Sequence, residues 1–369
     1  MSIRGFILFF LPFCFACNAS MNEAATNFPP FTYPADSPEI QYIGRTTQER
    51  RGVRFAWTGT EIRLRFEGPS IRLQLLSLPG SPEAVAEGYQ DHYDVWIDDT
   101  VYTRLITDYN RSAYDVATHL RDTTHTIKIF KRTEAMVGIG ILQAVTLAEG
   151  KKLLPPLPLS DLQIEFIGNS ITAGFGNLGD SAACVYSPDT QDGGQTFASL
   201  TAKALSADFQ AICYSGRGIW RNYSGETSGN LLDLYPLVNP QNREVWKVTN
   251  WNPAFVVINA GTNDFANPEP DQQAFVKNYQ QLLRIIRQRY PQTQIICLSG
   301  PLLYGQKLRK HKKWIKESIK LRKQKGDTRI YRLDLSPQGK LGFGCASHPN
   351  LAQHRLNAEE LTQLIQSLL

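Results

Sequence analysis

The sequence predicts two domains in series, an N-terminal β-sandwich of jelly-roll type followed by an α/β domain built on a parallel five-stranded sheet. Three observations carry that expectation. From Ile40 to Leu147 the chain is a succession of short alternating stretches with turn residues between them and no long amphipathic helix. From about residue 161 onward, apolar strand-like runs alternate with helical stretches, the pattern of a parallel sheet with helices on both faces. Between the two, residues 151–160 carry Pro155, Pro156 and Pro158 and read as a semi-rigid linker. The 369 residues suit two domains, and a hydrophobic content of 42% with 20% charged residues is ordinary for a globular protein. A net charge of +5 is too modest to imply nucleic acid.

The first residues read as a leader. Arg4 precedes a nearly continuous apolar run, Phe6 to Ala16, which is too short to span a bilayer and has the pattern of a signal peptide. Residues 1–19 are assigned to it. Two endings stay open: cleavage after Ala19 to give a secreted protein, or lipidation of Cys17 as in a bacterial lipoprotein. Either places the mature chain outside the cytoplasm, as a secreted, periplasmic or outer-surface protein, with Cys17 as its only route to a membrane. Residues 20–39, with Pro29, Pro30, Pro34 and Pro38, form a tether.

In the sandwich, residues 40–150, Arg54–Trp57, Glu61–Phe66 and Ile71–Leu75 read as strands with one wet face. Thr58-Gly59-Thr60 and Gly68-Pro69 punctuate them. Tyr93–Ile97 runs into Asp98-Asp99-Thr100, a hairpin turn, and Thr124–Lys131 and Val137–Leu147 complete the set. In the second domain, residues 161–369, the strands are Leu162–Ile167, Phe209–Cys213, Ala254–Asn259, Gln294–Leu298 and Arg329–Leu333. Thr196–Leu205 and Asp271–Tyr290 are helices between them. The basic stretch Lys307–Lys325 repeats Leu308, Ile315 and Ile319 at helical spacing, so it reads as a solvated helix face rather than a nucleic-acid site.

Chemistry concentrates at strand ends. Gly168-Asn169 breaks the strand that starts at Leu162, and Ser170 follows at its carboxyl end, the edge where open α/β sheets bind ligands. Taken alone, Ser170 reads more readily as a helix N-cap than as a nucleophile. Tyr214-Ser215-Gly216-Arg217-Gly218 and Ala260-Gly261-Thr262-Asn263-Asp264 end two more strands at the same rim. They bring a backbone N–H at Gly216 and an amide donor at Asn263 toward Ser170, the kind of group that stabilises an oxyanion. Of six histidines, His348 lies in a glycine-rich loop before the last helix, whose first turn Pro349 suits, and it is the candidate base. Trp220 and Tyr223, just after the Gly216 block, are candidates for lining the cleft at that rim. Gly174-Phe175-Gly176-Asn177-Leu178-Gly179 matches G-x-G-x-x-G but begins too far from its strand for a dinucleotide site. His348 and His354 lack companions at metal-ligand spacing, so no metal and no cofactor are expected. Cys213 and Cys297 lie in strand patterns as core residues; Cys184 and Cys345 lie in loops where an oxidising compartment permits a bridge that sequence alone does not establish.

Ser170, Gly216, Asn263 and His348 resemble, in chain order, the four signature positions of the SGNH (GDSL-type) hydrolases, with Asn169 where that family usually has aspartate. The jelly roll ahead of this domain, together with Arg54-Phe55-Ala56-Trp57-Thr58-Gly59-Thr60 and Tyr214-Ser215-Gly216-Arg217-Gly218-Ile219, resembles the family-2 carbohydrate esterases. The resemblance spans roughly residues 40–369. It implies Ser170 as nucleophile, His348 as base, and an oxyanion hole made by the Ser170 and Gly216 N–H groups and the Asn263 side chain. It implies a metal-independent enzyme that removes acetyl groups from polysaccharides or oligosaccharides such as xylan and glucomannan. One departure stands out. Ala346 and Cys345 occupy the positions where related enzymes carry an aspartate that orients the histidine. A Ser–His dyad is therefore expected, with His348 held by a backbone carbonyl and Asp334 as a weaker substitute acid. The rival readings are a lipase-like carboxylesterase of the same fold and an inactive carbohydrate-binding homologue. Oligomeric state is open.

Overall fold

Hydrophobic alternation builds the first domain as expected. In the strand Glu61–Glu67, Ile62, Leu64 and Phe66 are buried while Arg63 and Arg65 are partly exposed, the period-two pattern of a strand with one face on a core. The computed structural model describes residue 29 and residues 31–241, 243–247, 250–266 and 268–369; the expected leader and Cys17 lie outside them. Two six-stranded antiparallel sheets pack face to face. One runs Thr46–Glu49, Gly52–Phe55, Gly138–Leu147, Ile71–Pro79, Ala113–Ala117, with Thr32–Pro34 also on Gly138–Leu147. The other runs Leu153–Leu154, Glu61–Glu67, Thr124–Lys131, His92–Ile97, Thr100–Ile106, with Gln41–Ile43 also on Glu61–Glu67. Phe55, Leu73 and Leu142 from the first sheet meet Leu64, Val95 and Ile129 from the second in one core. The hairpin expected at Asp98-Asp99 is present, both residues having positive φ (49° and 63°), as a tight two-residue turn requires.

Strand pairing reaches further at both ends than the sequence suggests. Thr32–Pro34, within the expected tether, pairs with Gly138–Leu147, and Leu153–Leu154, within the expected linker, pairs with Glu61–Glu67. Both are two- or three-residue strips on open edges, where available backbone donors and acceptors recruit neighbouring chain despite its prolines.

The second domain has the five expected parallel strands, Gln163–Gly168, Asp208–Cys213, Phe255–Asn259, Gln294–Ser299 and Ile330–Asp334. Their order across the sheet puts Asp208–Cys213 at one edge, then Gln163–Gly168, Phe255–Asn259, Gln294–Ser299 and Ile330–Asp334. The chain thus starts near the middle, steps one way, then crosses back, and the reversal falls beside Gln163–Gly168. That is the switch point at which open α/β sheets leave a crevice. Phe166 and Val257 pack under the helices Phe197–Ala204 and Leu351–Leu368, while Ile167, Val256 and Ile258 pack under Gln272–Arg289 and Gly305–Lys323. The basic stretch is indeed one face of a helix, whose other face buries Trp314, Ile315 and Ile319.

The last helix departs from expectation at its start. It runs Leu351–Leu368, capped by the Asn350 side chain accepting from Gln353 N at 3.0 Å. Pro349 therefore lies before the cap rather than in the first turn, because an asparagine cap outcompetes it there.

The domains share a core. Ile43, Ala56, Trp57 and Ala135 of the sandwich belong to the same apolar cluster as Ile212, Val238 and Trp246 of the α/β domain. Trp57 Nε1 donates to the Val238 carbonyl at 2.6 Å, and buried Arg45 reaches the Leu237 carbonyl at 3.0 Å and Glu165 at 3.4 Å. Trp57 in the Arg54–Thr60 stretch thus shares the sandwich's docking surface with Ile43, Arg45 and Ala135.

Candidate active site

Ser170, Gly216 and Asn263 each follow the carboxyl end of a strand closely. Ser170 opens a single helical turn, Ser170–Ala173, directly after Gly168-Asn169. Only glycine fits at 168, since a Cβ there would lie 2.0 Å from Thr172 Oγ1. Asn169, fully buried, is the N-cap: its Oδ1 accepts from Ile171 N at 3.2 Å. Capping needs only an acceptor oxygen, which asparagine and aspartate both supply, so the substitution at this position keeps the turn.

His348 comes from the irregular loop before the last helix. Its Nε2 lies 2.9 Å from Ser170 Oγ, and its Nδ1 lies 3.1 Å from the Ala346 carbonyl. A carbonyl oxygen only accepts, so Nδ1 carries the proton and Nε2 presents its lone pair to the serine hydroxyl. The histidine is thus held by a main-chain acceptor two residues away, the carbonyl of Ala346. Asp334 does not reach it. Its carboxylate accepts from Ser299 Oγ at 2.6 Å and pairs with Arg332 at 3.2 Å and Lys312 at 3.7 Å. Its strand ends on the far side of the sheet from Gln163–Gly168, too many strands away for a side chain to bridge.

The carbonyl is aimed by an unusual backbone. Ala346 and Ser347 both have left-handed conformations (φ 50° and 60°), which non-glycine residues adopt only where surrounding structure imposes them. Here a disulfide joins Cys184 to Cys345. The loop is further tied by Cys345 N to Gly176 O at 2.9 Å, Ala346 N to Cys184 O at 2.9 Å, and Gln338 Nε2 to Ser347 O at 2.6 Å. The Gly174–Gly179 segment, which matches G-x-G-x-x-G, is the seat of this loop. Phe175 in it lies 4.7 Å, centroid to centroid, from His348 and stacks on Tyr186 at 3.9 Å. Burial lowers the His348 pKa below its ordinary value, against the raising effect of the Ala346 and Cys345 backbone bonds.

Two further strand ends complete the site. Tyr214–Arg217 is a turn closed by Arg217 N to Tyr214 O at 3.3 Å, with Gly216 at φ 76°, the geometry of a type II turn that requires glycine. Among the described residues no acceptor engages Gly216 N. Asn263 Nδ2 donates one hydrogen to the Arg217 carbonyl at 2.8 Å, leaving its second for the site. Beside it, buried Asp264 accepts from the N–H groups of Ile219, Trp220 and Arg221 at 2.8–2.9 Å. Burial pushes its carboxyl up to about 6 even though those donors favour the charged form.

Ser170, Gly216, Asn263 and His348 line a single cleft of about 760 Å³ with Phe175, Tyr223, Phe265, Leu303 and Tyr304. Tyr223 is there, 70% exposed. Trp220 is not: its backbone N–H is drawn to Asp264 and its ring lies against the Arg221 guanidinium, so the cleft lacks it. Tyr304, 79% exposed and lining the same cleft, is an aromatic that the sequence reading missed. Its signal was present, since it follows the strand Gln294–Ser299 at the same rim.

A serine on a strand-to-helix turn, a histidine on its hydroxyl and spare donors around it form an arrangement suited to hydrolysis on a doubly wound sheet. The model of the GDSL-like lipase/acylhydrolase family matches residues 166–356, and the chain belongs to that family. The model described as carbohydrate esterase 2 N-terminal matches residues 42–156. A family-two carbohydrate esterase from Clostridium thermocellum, solved in complex with cellohexaose, superposes with a TM-score of 0.83 at 30% identity, covering 89% of this chain and 98% of that one. The chain is a family-2 carbohydrate esterase by descent and fold. The cellulase/esterase CelE of Acetivibrio thermocellus is 31% identical over 90% of this chain, which spans 40% of that protein's length. An acetylxylan esterase/glucomannan deacetylase of Cellvibrio japonicus is 26% identical over 97% of this chain and 96% of its own.

Proposed function

We propose that the protein is an extracytoplasmic esterase that removes O-acetyl groups from plant polysaccharides, xylan and glucomannan among them, by a Ser170–His348 mechanism. The observation that carries this is the hydrogen-bond chain from Ser170 Oγ through His348 to the Ala346 carbonyl. Ser170 Oγ attacks the acetyl carbonyl carbon while Nε2 takes its proton. The carbonyl oxygen becomes an oxyanion within reach of the Ser170 and Gly216 N–H groups and Asn263 Nδ2. Collapse expels the sugar oxygen, which takes the proton back from Nε2 and leaves an acetyl–Ser170 ester. Water, deprotonated by Nε2, then releases acetate and restores the serine. The Ala346 carbonyl plays the orienting part an aspartate plays elsewhere, without adding a charge to the imidazolium pair. The exposed rings of Tyr223 and Tyr304, both lining the cleft, suit stacking on sugar faces. The Cys184–Cys345 bridge, together with the leader pattern, supports an oxidising, extracytoplasmic setting, secreted or lipid-anchored.

The apolar wall formed by Phe265, Ala266 and Leu303 favours one alternative, a lipase-like carboxylesterase with longer acyl chains. Acetate release from acetylated xylan and glucomannan, measured beside Ser170→Ala and against 4-nitrophenyl esters of increasing chain length, separates the readings. Release abolished by the substitution supports the deacetylase. Faster turnover of octanoate than acetate would favour the lipase-like enzyme. Tight binding of both polymers without acetate release would mark an inactive binding homologue.

A further inference from the structure

The sandwich sends one loop, residues 132–137, across the domain boundary, and that loop ends on the turn that carries Gly216. Its base is fixed. Fully buried Lys131 pairs with Asp91 at 2.7 Å and donates to the Thr133 carbonyl at 3.0 Å, and Arg132 pairs with Asp192 at 2.9 Å and donates to the Gln191 carbonyl at 2.9 Å. At its tip stands Glu134, 0% exposed. One carboxylate oxygen accepts from Ser215 N at 2.8 Å and the other from Ser215 Oγ at 2.5 Å. Gln191 Nε2, 3.4 Å from the second oxygen, also donates to the Ala173 carbonyl at 2.9 Å, at the end of the Ser170 turn.

The placement matters because of what a type II turn is. Types I and II differ chiefly by a flip of the peptide between the second and third residues, and glycine at the third position accepts either. In Tyr214–Arg217 that peptide is Ser215–Gly216, and its N–H is the one left without an acceptor among the described residues. A flip would exchange this N–H for the Ser215 carbonyl oxygen, turning a donor toward a developing oxyanion into a repulsive dipole. Among the described contacts, the two bonds from Ser215 to Glu134 are those that grip the residue on the N-terminal side of the flipping peptide.

We propose that Glu134, a residue of the sandwich domain, is a positioning residue for the oxyanion hole: by gripping Ser215 through both donors it locks the Ser215–Gly216 peptide with the Gly216 N–H toward the cleft. The sandwich is then a working part of the esterase site and not only a platform beside it. A carboxylate suits the task because it offers acceptors alone to two donors. Glutamine in its place keeps the shape but turns an N–H₂ group toward one of them. The proposal rests on the esterase reading above.

Glu134→Gln and Ser215→Ala are assayed with 4-nitrophenyl acetate beside wild type and Ser170→Ala, each checked for a wild-type melting profile. The expected result is a fall in kcat of about 10- to 100-fold for Glu134→Gln, below the cost of deleting an oxyanion donor. A smaller fall of a few-fold is expected for Ser215→Ala, which loses one of the two bonds. KM and the acid limb of the pH–rate profile, set by the intact Ser170–His348 pair, stay unchanged in both. A merely structural role would move stability or KM instead. Wild-type kcat in either folded variant overturns the proposal, so a misfolded Glu134→Gln leaves Ser215→Ala to decide it. An inactive wild type would instead sink the esterase reading and this proposal with it.

Discussion

Ser170 and His348 sit 2.9 Å apart, yet opposite means hold them there. The serine is positioned by regular structure: a central strand, a glycine that nothing else can replace and a helix turn capped by Asn169. The histidine stands on a loop with two left-handed residues, fastened by a disulfide and by hydrogen bonds to the Gly174–Gly179 segment. The serine's geometry is supplied by the sheet itself, whereas the histidine's depends on a few discrete ties. The site should accordingly be robust on one side and sensitive to single ties on the other.

The largest effect is expected on the sheet-borne side that touches the reacting oxygen. Asn263→Ala removes a donor without disturbing the strand, and kcat should fall about 10²- to 10³-fold with KM little changed; steady-state kinetics on 4-nitrophenyl acetate checks it. A loss under threefold would remove Asn263 from the oxyanion hole.

Next comes the tie on the histidine loop. Replacing both Cys184 and Cys345 by serine frees Ala346 to relax from its left-handed conformation and takes the carbonyl off Nδ1. Misplacing a base by about 1 Å can cost up to 10²-fold, so kcat should drop about tenfold or more, and dithiothreitol on the wild type should do the same. Full activity after reduction, with both thiols titrated, would mean that the hydrogen bonds alone suffice.

A subtler test concerns pH. Burial holds the His348 pKa below its usual 6.5. The neutral imidazole is the base, so activity falls with acid as the ring protonates, at lower pH than for an ordinary histidine. The ascending limb of kcat/KM should therefore have its midpoint under 6.5. Phe175→Ala opens the ring to water and should raise that midpoint; an unchanged or lower one would mean that Phe175 does not shield it.

The smallest effect is expected at Asp334. Its carboxylate serves Ser299 and Arg332, not His348, so Asp334→Ala should leave kcat within about twofold while lowering stability by about 1 kcal/mol for the lost hydrogen bond. A large loss of turnover in the folded variant would restore a triad.

Much of this was legible in the linear chain. The alternation of Ile62, Leu64 and Phe66, and the apolar runs ending in glycine turns at Gly168, Tyr214–Gly216 and Gly261, determine the sandwich, the parallel sheet and the rim where chemistry gathers. These follow from local periodicity and backbone permissiveness, which a sequence displays directly. The orienting group of His348 was legible only as a missing acid, because its replacement is a main-chain carbonyl, and every residue has one. Which carbonyl serves depends on the backbone at Ala346, next to Cys345, whose disulfide partner Cys184 lies 161 residues before it in sequence. The same limit hid Tyr304, Trp220's turn away from the cleft, and Glu134's reach into the other domain. Such contacts are chosen by long-range packing between segments that carry no mutual signal along the chain, and only the folded molecule decides them.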